Sequence, residues 1–219
     1  MSDPDAPEAL LLLTSRCPFC PTVLAALSEL VKGGRLARLE VVNIERRPEV
    51  AQALGVRTVP WVRIGPFELE GLRSAAELRQ WAERAGCTEG MADYFNELLT
   101  DGKLDKTIEL VRQDAARIGA LLYLLKNPDT NLQVRVGLSA VMEALAGGEA
   151  LKTRIDEIGA LTRSPDAHVR GDACHYLSLT HSARAVPYLR ALLADSERQV
   201  REIAADSLEV LRQAGVAVA

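Results

Sequence analysis

Residues 17–20 read Cys-Pro-Phe-Cys, and residues 56–60 read Val-Arg-Thr-Val-Pro. What flanks the first stretch gives it meaning. Residues 9–14 before it form a short apolar run that reads as a buried parallel strand. Residues 18–32 after it carry Val23, Leu24, Leu27, Leu30 and Val31 at helical spacing and stop at Gly33-Gly34. The two thiols therefore stand where a strand turns into a helix. A thiol at a helix N-terminus faces unpaired backbone N–H groups and the positive end of the helix dipole, and both favour thiolate. Cysteines so placed have pKa values of about 3.5 to 7.5, against about 8.5 when free. Arg16 adds positive charge beside them, Pro18 at the first helical positions costs no hydrogen bond, and Phe19 keeps the surface near the sulfur apolar. Cys17 is the expected nucleophile, and Cys20, one turn inside the helix, the expected resolving thiol.

Outward from that point the elements alternate. Residues 39–44 read as a second strand, and residues 48–54 as a short helix closed by Gly55. Trp61–Ile64 and Phe67–Glu70 read as strands joined by Gly65-Pro66. Ser74 and Glu77 form a capping box for a helix that runs to about Ala85 and stops at Gly86. The order is β-α-β-α-β-β-α. This placement of C-x-x-C, together with Thr58-Val59-Pro60 just before the strand at Trp61, resembles the thioredoxin superfamily over residues 8–87. Thr58-Val59-Pro60 is similar to the glutaredoxin form of the proline loop, and Cys17-Pro18-Phe19-Cys20 is similar to the glutaredoxin Cys-Pro-Tyr-Cys.

The resemblance implies a cis Val59–Pro60 bond packed against an active-site disulfide, Cys17–Cys20, with no other cofactor and no metal. It implies that a substrate chain pairs with the exposed Val59 backbone. Pro60 then joins Cys17 and Cys20 as catalytic. Arg16, Pro18, Phe19, Thr58, Val59 and Trp61 form the substrate surface. The expected activity is thiol–disulfide oxidoreduction on protein disulfides, fed by an electron donor of the thioredoxin or glutaredoxin type. Its potential is expected between about −270 and −200 mV. Two departures stand out. Glu70-Gly71-Leu72-Arg73-Ser74 has one Gly and no Asp where glutaredoxins carry a Gly-Gly and an Asp that hold the glutathione carboxylate. Arg16 replaces the Trp that precedes the first thioredoxin cysteine. The alternatives for the Cys pair are half of a zinc site, which lacks a second C-x-x-C here, and a retained fold without turnover.

After residue 90 the pattern changes to long amphipathic helical runs. The breakers are Asp101-Gly102, Asn127-Pro128-Asp129, Gly147-Gly148, Ser164-Pro165-Asp166 and Asp195-Ser196. Val134-Arg135, Val169-Arg170 and Val200-Arg201 align, with apolar residues four and eight positions after each Val: Leu138 and Met142, Ala173 and Leu177, Ala204 and Leu208. The Val positions are 35 and 31 residues apart, one helical hairpin per repeat. The first helices of the hairpins are expected at about 116–126, 149–163 and 183–194, with Pro187 tolerable in an opening turn. Each Arg is expected to reach an acid in the turn before it: Asp166 for Arg170, and Asp195 or Glu197 for Arg201. The pattern resembles HEAT repeats over about residues 116–214, which implies a stacked solenoid. The fold class is thus an α/β thioredoxin-like domain (1–88), a helical linker or cap (89–115) and an all-α HEAT-like domain (116–219).

Composition agrees with this division. A 48% hydrophobic chain with only 4% aromatics builds its core from Leu, Ala, Val and Ile. The net charge of −4, spread over both halves, excludes nucleic-acid binding by bulk positive charge. The run 9–13 is too short for a membrane span and follows Asp3, Asp5 and Glu8 rather than a basic segment, so a cytoplasmic protein is expected. Four cysteines there point to chemistry rather than a disulfide framework. Cys87 reads as incidental or as a disulfide relay, and Cys174 as a small core residue. His168, Asp172 and His175 share a helix face, but the two histidines are two turns apart. That stripe reads as a polar or partner-facing surface before a metal site, with His181 nearby. The helical domain is expected to hold a protein client. The alternative functions are a non-enzymatic adaptor, or a sensor in which oxidation of the Cys pair shifts the angle between domains.

Overall fold

The computed structural model describes residues 6–127 and 129–218. Asp3, Asp5 and Pro128, which enter the readings above, lie outside the described residues. The chain divides into two compact units between Met91 and Ala92.

The first unit runs β1 (Glu8–Leu13), α1 (Cys20–Lys32), β2 (Arg38–Asn43), α2 (Pro48–Ala53), β3 (Trp61–Ile64), β4 (Phe67–Glu70) and α3 (Ala75–Arg84). The sheet order is β2-β1-β3-β4, with β1 and β2 parallel and the other pairs antiparallel. The apolar run made β1 a central strand. The register gives it two different faces. Ala9 and Leu11 line up with Ile64 and Val62, and those with Phe67 and Leu69. This face carries α1, through Val23, Leu27 and Leu30, and α3, through Leu78 and Trp81. The Phe67 and Trp81 rings meet at 4.8 Å. The opposite face, with Leu10, Leu12 and Trp61, packs on Val50 and Ala51 of α2 and on Leu54 just after it. The β3–β4 loop needs a positive φ at its first residue, and Gly65 supplies it at +53°. Ser74 and Glu77 close the capping box expected of them.

One boundary departs from expectation and bears on the site. α1 begins at Cys20, not Pro18: Phe19 is its N-cap, its carbonyl taking the Val23 N–H, and Pro21 rather than Pro18 occupies the first turn. The Cys20 N–H is directed to Cys17 Sγ instead. At its far end α1 stops in a Schellman turn. Gly34 at φ +71° lets the Gly34 and Arg35 N–H groups reach the Val31 and Leu30 carbonyls.

The second unit is helical. α4 (Thr88–Thr100) crosses the division, and α5 (Leu104–Gln113) follows. Then come α6 (Ile118–Lys126), α7 (Leu132–Ala144), α8 (Glu149–Lys152), α9 (Ile155–Ala160), α10 (Ala167–Leu179), α11 (Val186–Leu192) and α12 (Arg198–Gln213). The hairpins are α6 with α7, α8–α9 with α10, and α11 with α12. Val134, Val169 and Val200 are buried, as are Leu138, Ala173 and Ala204 four residues on. Leu208 in the last repeat is half-buried. Residues 92–113 form more than a connection: Tyr94, Phe95, Leu98, Leu110 and Val111 are buried, and α5 packs on α7.

The first helices of the hairpins are less continuous than their patterns. Residues 149–163 divide at Thr153, whose hydroxyl bonds back to the Ala150 carbonyl and competes with the ladder. Short 3₁₀ turns open α6 and α11, capped by Asp114 and Ser182. The repeat arginines also depart from expectation. Arg135, Arg170 and Arg201 each fold back onto carbonyl oxygens of the preceding turn: Asn127 and Thr130, Ser164 and Pro165, and Asp195 and Ser196. Asp166 is occupied in capping α10 through the His168 N–H. The acid that meets Arg170 is Asp195, from the next repeat. Among the described residues no helix is long and apolar enough to cross a membrane.

Candidate active site

The turn between β1 and α1 carries the Cys17–Cys20 pair. Cys17 and Cys20 are joined as a disulfide, with Cα atoms 5.5 Å apart. Their exposure differs. Cys20 is 2% exposed behind the helix start, whereas Cys17 is only half-buried, so Cys17 is the more accessible sulfur of the two. The Cys20 N–H lies 3.2 Å from Cys17 Sγ, where it is placed to donate to negative charge on that sulfur once the disulfide opens. Access and electrostatics thus point to the same atom.

The loop before β3 contributes a cis Val59–Pro60 bond. Pro60 is buried, Val59 is half-buried against the Leu10–Trp61 core, and Thr58 is exposed. Arg16 and Pro18 are exposed, and Phe19 is 52% exposed, which is unusual for so large an apolar ring. Trp61 departs from its assigned role. It is 3% exposed in the core over α2 and offers no surface to a substrate. Its position after the proline loop placed it near the site, but the strand's alternation turned it inward.

Leu72 was missed. The Gly71 N–H donates to the Pro60 carbonyl at 2.9 Å, and Gly71 takes φ +77°. That bond ties the turn after β4 to the proline loop and leaves Leu72 53% exposed beside it. The signal available in the sequence was a large apolar residue directly after a turn glycine.

A second group gathers behind the turn. Asn43 Nδ2 donates to Ser15 Oγ at 3.0 Å, the Ser15 N–H donates to Glu45 Oε2 at 3.3 Å, and the Glu45 N–H donates to Asn43 Oδ1 at 2.9 Å. The Ser15 hydroxyl and N–H hold the Glu45 carboxyl below the usual carboxylate range, helped by Arg16 and Arg46.

The remaining candidates lie apart from this constellation. Cys87 is exposed, and its sulfur accepts the Gly90 N–H at 3.3 Å. It lines a cavity with Pro7, Gly33, Gly34 and Arg35, at the start of β1 and the end of α1. The disulfide is at the other end of both elements. The 13 residues of α1 span about 20 Å, so direct relay between Cys87 and the pair is excluded by geometry. Cys174 is fully buried, and burial pushes its thiol up to about 12. His168, Asp172 and His175 line a groove of about 540 Å³ between α10 and α12. His175 Nε2 sits 3.2 Å from Glu143 Oε1. Burial raises the Asp172 carboxyl, partly offset by Arg135 at 3.9 Å. Among the described residues no group of His, Cys, Asp or Glu is arranged to hold a metal ion.

Comparison with known families agrees with both units. Residues 9–83 match the family model described as a thioredoxin domain, and residues 118–209 match that described as HEAT repeats. No curated protein matches the chain. The chain joins a thioredoxin domain, carrying the Cys17–Cys20 disulfide, to HEAT repeats.

Proposed function

We propose that the protein is a thiol–disulfide oxidoreductase acting on protein disulfides. The observation that carries the reading is the asymmetry of the pair: a half-exposed Cys17 whose sulfur accepts a helix N-terminal N–H, backed by a buried Cys20.

In the reduced enzyme, Cys17 thiolate attacks one sulfur of the substrate disulfide. A Cys17–substrate disulfide forms, and the other substrate sulfur leaves as thiolate. Cys20, once deprotonated, attacks Cys17 Sγ. The Cys17–Cys20 bond re-forms, and the second substrate thiolate leaves. Two electrons pass from the dithiol to the substrate, and solvent protonates the leaving thiolates. An electron donor of the thioredoxin or glutaredoxin type returns the pair to the dithiol. Phe19, Leu72 and Val59 give the substrate chain apolar contacts, with Pro18, Thr58 and Arg16 around them. Pro60 holds the loop against which that chain lies. The reaction uses no cofactor beyond the disulfide itself. The HEAT repeats hold the protein client, and the cytoplasm, where thiols stay reduced, is the compartment that suits the exchange.

Cys20→Ser tests this reading. With the resolving thiol gone, the mixed disulfide between Cys17 and a disulfide-bearing protein such as insulin should accumulate and be visible by mass spectrometry. Binding of insulin without any covalent adduct would favour an adaptor over an enzyme.

A further inference from the structure

We propose that Asn43, braced by Glu45, is a positioning residue that sets the reactivity of Cys17 by anchoring Ser15 two residues before it. This inference rests on the dithiol reading above.

The anchor begins in the backbone ladder. β1 and β2 pair in parallel with Leu13 beside Asn43, and the Ile44 N–H continues the ladder to the Leu13 carbonyl at 3.0 Å. The end of β2 is thereby fixed against the start of the β1–α1 turn. From there Asn43 reaches Ser15 Oγ, and Glu45 takes the Ser15 N–H. Asn43 is itself oriented, because its Oδ1 accepts the Glu45 N–H at 2.9 Å. Each of the three residues is bonded to the other two, so fixing one fixes the set.

Beyond Ser15 the turn has few other hydrogen bonds among the described residues. The Cys17 N–H reaches the Thr14 carbonyl at 3.4 Å, a long bond. In the oxidised protein the disulfide also holds Cys17 in place. After reduction that constraint is gone, and Cys17 Sγ stays near the Cys20 N–H only as far as the turn is held from behind. Loss of the Asn43–Ser15 bond frees Cys17 to leave the N–H that stabilises its thiolate. Asn43 touches neither the sulfur nor a substrate. It acts through Ser15 and the turn.

The test uses the full chain, reduced and freed of reductant, with the rate of Cys17 alkylation by iodoacetamide followed from about pH 5 to 9 by mass spectrometry. Asn43→Ala and Ser15→Ala should each slow alkylation at about pH 6.5 by roughly two- to tenfold, the worth of one hydrogen bond, and raise the pH midpoint. The double variant should be no slower than the slower single one, because both remove the same contact. Thermal unfolding of each variant runs alongside. A lowered melting temperature with an unmoved midpoint would make the contact merely structural and overturn the inference. Effects that multiply in the double variant would also overturn it. If the unmodified Cys17 reacts no faster than Cys87, the dithiol reading fails first. A reactive Cys17 that ignores both substitutions overturns only the role of Asn43.

Discussion

The backbone N–H of Cys20 points at Cys17 Sγ across 3.2 Å, so the residue that closes the disulfide also directs a hydrogen-bond donor at its partner's sulfur. On reduction this should separate the four cysteines by reactivity. Cys17 should alkylate fastest, with a midpoint below the roughly 8.5 of a free thiol. Cys87, exposed, should follow. Cys174, held near 12 by burial, should label only after unfolding. Without reductant only Cys87 should react in the folded protein. Peptide mapping after timed iodoacetamide exposure checks the order, and early labelling of Cys174 would contradict it.

Arg170 meets Asp195 in a two-point contact, both N···O distances 2.8 Å, with the side chains 12% and 7% exposed. Arg170→Ala should destabilise the helical unit by about 2 kcal/mol, as a charge-assisted pair is lost. The contact holds the Asp195 carboxyl below its ordinary range. Its contribution is therefore full above about pH 4 and is lost as the pH falls through the lower folded value. Denaturant titrations at neutral and acid pH should show the variant's deficit at pH 7 shrinking as Asp195 is protonated, while the part due to the lost Ser164 and Pro165 carbonyl bonds remains.

Asp172 has the opposite sign. Burial raises its carboxyl, and Arg135 at 3.9 Å offsets this only in part. Folding is favoured while the group is protonated, and that advantage fades as the pH rises above its unfolded value of about 4. Asp172→Asn should thus match or exceed the unsubstituted protein in stability at pH 7, and the two should converge below about pH 4. A melting temperature several degrees lower for the variant at pH 7 would contradict the assignment.

Gly159 in α9 lies under the Tyr188 ring, and a Cβ there would sit 2.5 Å from Cε1. The ring is not free to swing aside, because Tyr188 Oη donates to Asp156 at 3.0 Å and Arg184 holds the same carboxylate at 2.7 Å. Replacing a helical Gly by Ala gains about 1 kcal/mol of propensity, but overpacking costs about 1–3 kcal/mol. Gly159→Ala should therefore destabilise. Gly119→Ala in α6, where a Cβ would meet nothing within 4 Å, should instead stabilise by up to about 1 kcal/mol. Paired chemical denaturation of the two variants decides this.

The elements set by local chemistry were readable. Gly65-Pro66 between two apolar runs marked β3 and β4 to the residue, and Ser74 with Glu77 marked the start of α3. The Val-Arg repeats placed α7, α10 and α12 because their period depends only on stacking. The misses share a cause, which is that the deciding contact is distant or peculiar. Cys17 Sγ takes the Cys20 N–H and delays α1. The 149–163 run divides at Thr153, whose hydroxyl bonds back to the Ala150 carbonyl. Arg170 finds its acid 25 residues ahead, not in the turn behind. Around the disulfide, Cys17, Cys20 and the cis Val59–Pro60 bond were legible as a motif. Leu72 and the Asn43–Ser15–Glu45 group were not, since only the folded sheet brings them to the turn.

If Cys17 is the nucleophile of a disulfide reductase, catalytic amounts of the full chain should speed the reduction of insulin by dithiothreitol, followed as turbidity. The unsubstituted protein should accelerate the reaction, and Cys17→Ser should return it to the uncatalysed rate. Equal acceleration by Cys17→Ser, or none by the unsubstituted protein, would rule out Cys17 as the nucleophile.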